Sequence, residues 1–221
     1  AFNATSASPD VQIAAIADLF PDRLNSSRAH LDQLGERVSV TDEDCYVGWD
    51  AYKRLMARAD IDIVILATPP HFRPIHFKEA VKQGKHVFME KPVAVDPAGV
   101  RQVIAAAKEA DAKNLSVVSG TQRRHELCYL DAMKRIHDGE IGEPVAARCY
   151  WNQGGLWNHA RQADWSDMEW QLRNWLYFTW LSGDHITEQH VHNLDATNWA
   201  LGGHPIKCMG MGGRQCRTQP K

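Results

Sequence analysis

The stretch His86-Val87-Phe88-Met89-Glu90-Lys91-Pro92 decides the fold of this 221-residue chain. Its apolar run, Val87 to Met89, is typical of the end of a buried strand, and a carboxylate, an ammonium and a proline follow it directly. Pro92 cannot donate a hydrogen bond to a sheet and favours an extended conformation at the preceding residue. We therefore predict that Lys91 lies at the carboxyl end of a strand, where open α/β sheets bind ligands. An ordinary Lys-Pro turn on the surface is the alternative.

Predicted strands and helices alternate on both sides of this stretch. The segment 61–67 is rich in β-branched residues, and the segment 11–17 is a buried-type strand that ends on Asp18. Asp96-Pro97 is typical of an N-cap followed by a proline in the first helical turn. This alternation predicts βαβ units and a parallel sheet with both faces covered. The residues of the helix after Pro97 that are predicted to share one face are Val100, Val103, Ile104 and Ala107.

The chain changes character after Gly120. Six of its eight tryptophans lie within 151–180, and the patterns there are less regular. We predict an α/β, Rossmann-type dinucleotide-binding domain over 1–121. A second domain over 122–221, of α+β construction with an open, largely antiparallel sheet, is predicted to serve substrate binding and oligomerisation. Its predicted elements include a strand over 145–151 and one long helix over 184–201.

A strand that ends on an acid is typical of the second strand of a dinucleotide-binding unit, about 20 residues beyond a Gly-x-Gly-x-x-Gly turn. No such turn precedes Asp18, and the dense glycine cluster 210–213 lacks a following helix pattern. We therefore expect the first strand to be missing and the second domain to be unfinished. The Asp18 carboxylate is placed to accept ribose hydroxyls and to repel a 2′-phosphate, which favours NAD over NADP. An ordinary acid at a strand end is the alternative.

A polar stripe runs along the predicted helix 184–201. His185, Glu188, His192 and Asp195 follow one another at offsets of three, four and three residues, so an unbroken helix would present them on one face. A solvated face is the simplest interpretation. A metal site is a further alternative, because the spacing His-x-x-Glu-x-x-x-His could ligate a metal ion.

The tryptophans, together with Tyr150, Asn152 and Asn158, suggest a wall on which a sugar stacks. Aromatic faces suit the C–H faces of a pyranose ring and bury a large area. Packing of these aromatic side chains against one another is the alternative.

Four stretches together resemble the Gfo/Idh/MocA family, named for glucose–fructose oxidoreductase, inositol dehydrogenase and a rhizopine-catabolism protein. The stretches are Ala67-Thr68-Pro69-Pro70, Gly84-Lys85-His86-Val87, Glu90-Lys91-Pro92 and Glu188-x-x-x-His192-x-x-Asp195. The resemblance implies a two-domain, NAD(P)-dependent enzyme that acts on a sugar or cyclitol and is a homo-oligomer at full length. It implies that Lys91 lies beside the nicotinamide and the reacting hydroxyl, and that His192 is the general acid or base.

Glu188 departs from the family pattern, because most members carry Asp at this position. We still count it with Lys91 and His192 among the predicted catalytic residues. No resident metal is expected. The predicted cofactor-binding residues are Asp18, Thr68, Pro69, Pro70, Glu90, Lys91 and Gln122. The predicted substrate-binding residues are Lys91, Arg124, Trp157, His185, Glu188 and His192.

The composition narrows the class of partner. A net charge of −2 without a basic stripe argues against nucleic acid, and no apolar run approaches the length of a membrane span. The five cysteines include no Cys-x-x-Cys pair, which argues against a disulfide framework. We expect a cytoplasmic enzyme, or an exported one if a leader precedes Ala1. A redox-assisted glycosidase of the same fold and a non-catalytic sugar or nucleotide sensor remain as alternative functions.

Overall fold

The computed structural model of the chain describes residues 1–213, which form two compact units. The first unit comprises Ala1–Thr121 and Gly154–Gln189. The second comprises Gln122–Gln153 and the residues from His190 onward. The segment 154–189, which the sequence assigned to the second domain, therefore packs with the first unit. Among residues 1–213, none of the helices is long and apolar enough to cross a membrane.

The first unit has the predicted α/β, Rossmann-type architecture. Its strands are β1 (Ile16–Asp18), β2 (Cys45–Val47), β3 (Ile63–Leu66), β4 (His86–Met89) and β5 (Val117–Ser119). They pair in parallel in two sheets, one of order β2-β1 and one of order β3-β4-β5. In the strand order 3-2-1-4-5-6 of dinucleotide-binding folds, these two sheets correspond to 3-2 and 4-5-6.

Helices connect these strands, and three more helices lie within residues 154–189. The helices of the first unit are α1 (Phe2–Ala7), α2 (Pro21–Leu31), α3 (Ala51–Met56), α4 (Arg73–Lys82), α5 (Pro97–Ala112), α7 (Asp167–Arg173), α8 (Thr179–Ser182) and α9 (Asp184–Glu188). The predicted cap is confirmed, because the Asp96 side chain accepts a hydrogen bond from the Gly99 amide at 2.7 Å. Gly84 follows α4 with a φ of +70°, a left-handed conformation that favours glycine at a helix end.

Among residues 1–213, only one face of the sheet β3-β4-β5 is covered, so the prediction of two covered faces is wrong for this part of the chain. Both crossovers run in the same direction, and right-handed crossovers then place α4 and α5 on the same side. The buried face is formed by Val64, Leu66, Val87 and Met89, and the exposed face by Ile63, Ile65, Phe88 and Val118.

The packing face of α5 also differs from the prediction. Val103 is buried, but Val100 and Ile104 are exposed, and Gly99, Ala106 and Ala110 take their place. A Cβ atom on Gly99 would lie 3.0 Å from the Cβ of Ala94 and 3.1 Å from the Cγ of Pro74. Small residues therefore let this helix approach its neighbours closely, which a search for large apolar residues does not detect.

The motif Gly84-Lys85-His86-Val87 contributes to the sheet itself. The buried Lys85 ammonium donates hydrogen bonds to the main-chain oxygens of Arg58 and Ile61, at 2.6 and 2.7 Å. The Nδ1 atom of His86 accepts a hydrogen bond from the Ser116 amide at 2.9 Å. The two polar side chains of the motif thus hold neighbouring segments against β4, and Lys91 follows at the end of this fixed strand.

The second unit contains α6 (Leu127–His137) and α10 (Val191–Ala200). The predicted strand over 145–151 is not formed, because no neighbouring strand among residues 122–213 pairs with it. The predicted single helix over 184–201 is also wrong. It is interrupted at Gln189 and His190, where the chain passes from the first unit into the second.

Candidate active site

The loops after β1, β3 and β4 carry most of the predicted cofactor residues of the first unit. Asp18 is the last residue of β1, and its Oδ1 accepts a hydrogen bond from the Phe20 amide at 2.9 Å. This contact turns the chain directly after the strand and fixes the direction of the carboxylate. Asp18 is half-buried, and its main-chain oxygen accepts a hydrogen bond from the Gly48 amide.

Two residues of α4 contact the turn Thr68-Pro69-Pro70 after β3 and hold it in place. Arg73 is 1% exposed and donates hydrogen bonds to the main-chain oxygens of Leu66 and Thr68. His76 Nδ1 lies 3.2 Å from the Thr68 hydroxyl oxygen. Burial and the nearby Arg73 lower the pKa of His76 to about 4, so its imidazole is neutral at pH 7.

Glu90 stands at the end of β4 in a closely packed position. Its amide donates a hydrogen bond to the Leu66 oxygen at 2.9 Å. A Cβ atom on Gly120 would lie 2.7 Å from Glu90 Oε2 and 3.2 Å from the Glu90 Cα atom, so a side chain at position 120 would displace the Glu90 carboxylate. Burial lowers the pKa of Arg73 to about 10, and the charge of Glu90 partly opposes that shift. Glu90 therefore belongs to the charge environment beneath the Thr68 turn.

Lys91 and Glu188 form a buried ion pair within the first unit. Lys91 Nζ lies 2.7 Å from Glu188 Oε1, and it also donates a hydrogen bond to the Glu188 main-chain oxygen. The two side chains are 15% and 9% exposed, and the Lys91–Pro92 peptide bond is cis. The second carboxylate oxygen, Oε2, is buried and has no hydrogen-bond partner among the described residues. The pair thus offers a cation and an acceptor oxygen at one position.

His192 lies in the second unit and is 5% exposed. Its ring is stacked on Trp151, with ring centres 5.6 Å apart and an interplanar angle of 24°. The Arg123 guanidinium lies 5.2 Å from the Trp151 ring and donates a hydrogen bond to Asn193. Asn193 in turn donates to the Tyr150 main-chain oxygen at 2.6 Å. This network fixes the plane of the indole against which the imidazole packs.

Two of the four residues of the polar stripe are buried, which a solvated face would not show. Glu188 and His192 are 6% and 5% exposed, whereas the apolar Ile186 and Leu194 are 55% and 43% exposed. Apolar side chains normally take the buried positions, so an acid and a histidine that are each buried in their own unit favour a functional interpretation. No group of three or more His, Cys, Asp or Glu side chains in residues 1–213 is arranged to hold a metal ion.

The remaining predicted residues fall in different surroundings. Arg124 forms a two-point ion pair with Asp195, with N–O distances of 2.8 and 2.9 Å, and its guanidinium lies over Trp199. Gln122 and His185 are exposed. The structure thus brings Asp18, Thr68, Pro69, Pro70, Glu90, Lys91, Glu188, Trp157 and His185 into the first unit, and Gln122, Arg124 and His192 into the second.

Trp157 belongs to an aromatic cluster inside the segment 154–189. Its ring contacts the rings of His159, Trp175 and Tyr177, and the residue is 41% exposed. Mutual aromatic packing therefore accounts for part of the tryptophan content. The role of Trp157 towards a sugar stays a prediction.

Sequence patterns missed three residues that support this site. Arg73 and His76 hold the Thr68 turn, and Arg173 contacts Phe20 and Asp22 at the start of α2. The burial of Arg73 could not be predicted from its local sequence, because an arginine beside a proline at a helix start is usually exposed. The only available hint for Arg173 was its position within an unusually tryptophan-rich segment.

Comparison with known proteins places these observations in a family. The family model described as "Oxidoreductase family, NAD-binding Rossmann fold" (GFO_IDH_MocA) matches residues 3–119, which is more than half of the chain.

Curated relatives extend the match beyond the first 119 residues. A 2,7-anhydro-N-acetylneuraminate hydratase of Escherichia coli is 29% identical over 164 residues, which cover 72% of this chain and 39% of the relative. An inositol 2-dehydrogenase of Rhizobium meliloti is 29% identical over 63% of this chain and 37% of its own length. A glycosyl hydrolase family 109 protein of Streptomyces coelicolor is 29% identical over 62% of this chain and 28% of its own length. The chain spans well under half the length of each.

Solved structures agree on the fold. A putative myo-inositol dehydrogenase from Sinorhizobium meliloti superimposes with a TM-score of 0.59 at 23% identity, over 92% of this chain and 52% of that protein. An aldose-aldose oxidoreductase from Caulobacter crescentus, complexed with glycerol, gives 0.60 at 20% identity, over 86% of this chain and 50% of that protein.

Proposed function

We propose, on the premise that this chain belongs to the Gfo/Idh/MocA family of NAD-binding oxidoreductases, that it carries the site of an NAD-dependent sugar or cyclitol oxidoreductase. The reaction transfers a hydride between a substrate hydroxyl carbon and the nicotinamide. One observation carries the proposal: the Lys91 ammonium stands at the carboxyl end of β4 in a buried contact with Glu188. The inositol 2-dehydrogenase relative supports a polyhydroxylated substrate.

The residues of the first unit fit a dinucleotide. Asp18 offers a carboxylate whose direction is fixed by the Phe20 amide, as the adenosine ribose requires, and a negative charge there favours NAD over NADP. The Thr68-Pro69-Pro70 turn and Glu90 would line the nicotinamide half. Gln122 is also proposed as a cofactor-binding residue. Bound NAD would supply the carbon that takes the hydride.

The ion pair provides the charge that the reaction needs. The Lys91 ammonium would donate a hydrogen bond to the reacting hydroxyl and stabilise the negative charge that develops on its oxygen. Glu188 would orient that ammonium, and its Oε2 would accept a hydrogen bond from a substrate hydroxyl.

His192 would take the hydroxyl proton in oxidation and return it in reduction. The reference pKa of an imidazole, about 6.5, lies close to working pH and suits both steps. Arg124, Trp157 and His185 are proposed to contact the rest of the substrate.

A second candidate is a redox-assisted glycosidase, in which a sugar is oxidised transiently, the aglycone is eliminated, and the sugar is reduced again. The glycosyl hydrolase family 109 relative is the observation that favours it. The same Lys91 and His192 would act on the sugar, but no net NADH would accumulate.

The test is a screen of a full-length protein that carries this chain. It would be incubated with NAD and a panel of sugars, cyclitols and aryl glycosides, with the Lys91→Met variant as the control for site-dependent turnover. NADH formation with a free sugar or cyclitol supports the dehydrogenase, and glycoside cleavage without net NADH supports the glycosidase. Saturable sugar binding with neither product would refute both and identify a non-catalytic sensor.

A further inference from the structure

The segment 154–189, which we call the strap, crosses the carboxyl edge of the first unit. It contacts the start of α2, which follows β1, and then the segments that follow β3 and β4, in that order as the chain advances. The contacts pair His159 with Arg23, Arg173 with Asp22, Trp180 with His71, and Glu188 with Lys91. The carboxyl edge is where dinucleotides lie in open α/β sheets. The strap therefore runs from the proposed adenosine end of the cofactor site to the proposed nicotinamide end.

Arg173 forms the most extensive of these contacts. Its guanidinium donates two hydrogen bonds to the Asp22 carboxylate, both 2.9 Å long, and one of 2.9 Å to Glu169. It also lies 4.0 Å from the centre of the Phe20 ring and 4.8 Å from that of Trp165. The side chain is 9% exposed, and Arg173 lowers the pKa of Asp22 by hydrogen bonding. A two-point pair of this kind fixes direction as well as distance.

The strap holds Arg173 in place from its own side. The next residue, Asn174, is 1% exposed. Its side chain accepts a hydrogen bond from the His159 amide at 2.8 Å and donates to the His159 oxygen at 3.0 Å. Glu169, one helical turn before Arg173, fixes the guanidinium from within α7. Arg173 is thus presented to the loop after β1 by a structured segment.

We propose that Arg173 is a positioning residue for the adenosine end of the dinucleotide. It holds Phe20 and Asp22, and the Phe20 amide in turn holds the Asp18 carboxylate that receives the ribose. The inference rests on the proposed function for the identity of the ligand. The chain of contacts from Arg173 to Asp18 can be tested without any ligand.

The ligand-free test measures amide hydrogen exchange in the 221-residue chain. The variants are Arg173→Gln and Arg173→Lys. The matched control is Arg161→Gln, because Arg161 also pairs with a carboxylate of α7 and lies over Trp170, but these partners all belong to the strap. In Arg173→Gln we expect the Phe20 amide to exchange roughly tenfold faster, the factor equal to one lost charged hydrogen bond. Arg173→Lys should be intermediate, because lysine keeps the charge but not the two-point geometry.

The ligand test uses ADP-ribose with a full-length protein, well below the melting temperature of each variant. Its Kd should rise about tenfold in Arg173→Gln and stay unchanged in Arg161→Gln. The KM for NAD should rise while kcat at saturating NAD is retained, which a general loss of stability would not produce.

The outcomes separate this inference from the proposed function. Unchanged Phe20 exchange in Arg173→Gln, or an unchanged Kd for ADP-ribose despite a lowered Tm, would overturn it and leave Arg173 a structural residue. Absence of ADP-ribose binding in the wild type would refute the proposed cofactor instead, and the exchange result would then decide whether Arg173 holds the Asp18 turn.

Discussion

Removing either partner of the Lys91–Glu188 pair should destabilise the protein far more than removing both. The perturbation is a double-mutant cycle that uses Lys91→Met, Glu188→Gln and their combination. The partners are 15% and 9% exposed, so each single change leaves a buried charge without its counter-ion. Breaking such a pair costs about 3–5 kcal/mol, whereas replacing both members with neutral groups is often close to neutral.

The geometry determines where each variant falls in that range. In Glu188→Gln the ammonium keeps the main-chain oxygen of residue 188 as a partner, so the free energy of unfolding should fall by about 3 kcal/mol. In Lys91→Met the carboxylate keeps no cation, and its Oε2 already lacks a hydrogen-bond partner among the described residues. We therefore expect the free energy of unfolding to fall by about 5 kcal/mol. The double variant should lose no more than about 1 kcal/mol, well below the loss of either single variant.

The assay is urea unfolding of each variant at pH 7, followed by tryptophan fluorescence, with the slope m compared as a check on two-state behaviour. The control cycle uses Lys113 and Glu109, a pair of the same type at 2.8 Å on α5 whose side chains are 39% and 49% exposed. It should give a coupling of about 0.3–0.5 kcal/mol. A Lys91–Glu188 coupling no larger than that of the control would refute the buried pair and with it the proposed orientation of Lys91.

Four further predictions follow from the site. His76 has a folded-state pKa of about 4 against 6.5 unfolded. The unfolded chain therefore binds the extra proton first as pH falls, and stability should drop by up to about 3 kcal/mol between pH 6.5 and 4. Urea midpoints should show this drop in the wild type and a shallower one in His76→Leu. Asp18→Ser should relax a preference for NAD towards NADP, and better use of NADP by the wild type would contradict the assigned role of Asp18. His192→Asn should lower kcat by roughly 10²–10⁴-fold and remove the acidic limb of the pH–rate profile, and a surviving limb would exclude His192 as the titrating group. Titration by NADH fluorescence should show weak binding to the 221-residue chain, because residues 1–18 contain no Gly-x-Gly-x-x-Gly turn to bind the pyrophosphate, and tight binding would contradict this reasoning.

Local patterns were sufficient for several elements of the first 121 residues, although β2 was not predicted and β1 is shorter than the expected strand over 11–17. The β-branched run at 61–67, the cap at Asp96 and the stretch His86–Met89 each lie where strand or helix chemistry predicts. These signals succeed because they depend on neighbours within a few residues. The covered face of the sheet was harder to predict from the sequence. It depends on the direction of the crossovers and not on the strand itself.

The candidate site was predictable in its residues but not in its contacts. Lys91 and Glu188 are 97 positions apart, and Arg173 and Asp22 are 151 apart. No periodicity in the sequence reports such pairs. The stripe at 184–195 was wrongly expected to follow one continuous helix. The helix breaks at Gln189 and His190, where no proline or glycine in the sequence marks the break.

The strap changes what counts as the dinucleotide-binding part of this chain. A cut after Thr121 would keep all five described strands, but it would remove Arg173 from Phe20 and Asp22, and Glu188 from Lys91. The loop after β1 would lose the group that holds it, and the Lys91 ammonium would lose its counter-ion. Residues that follow the sheet by 50 or more positions in sequence therefore complete the edge on which the sheet would act. Since Arg173 and Glu188 both lie within 154–189, both belong to the same compact unit as the sheet, which comprises 1–121 together with 154–189.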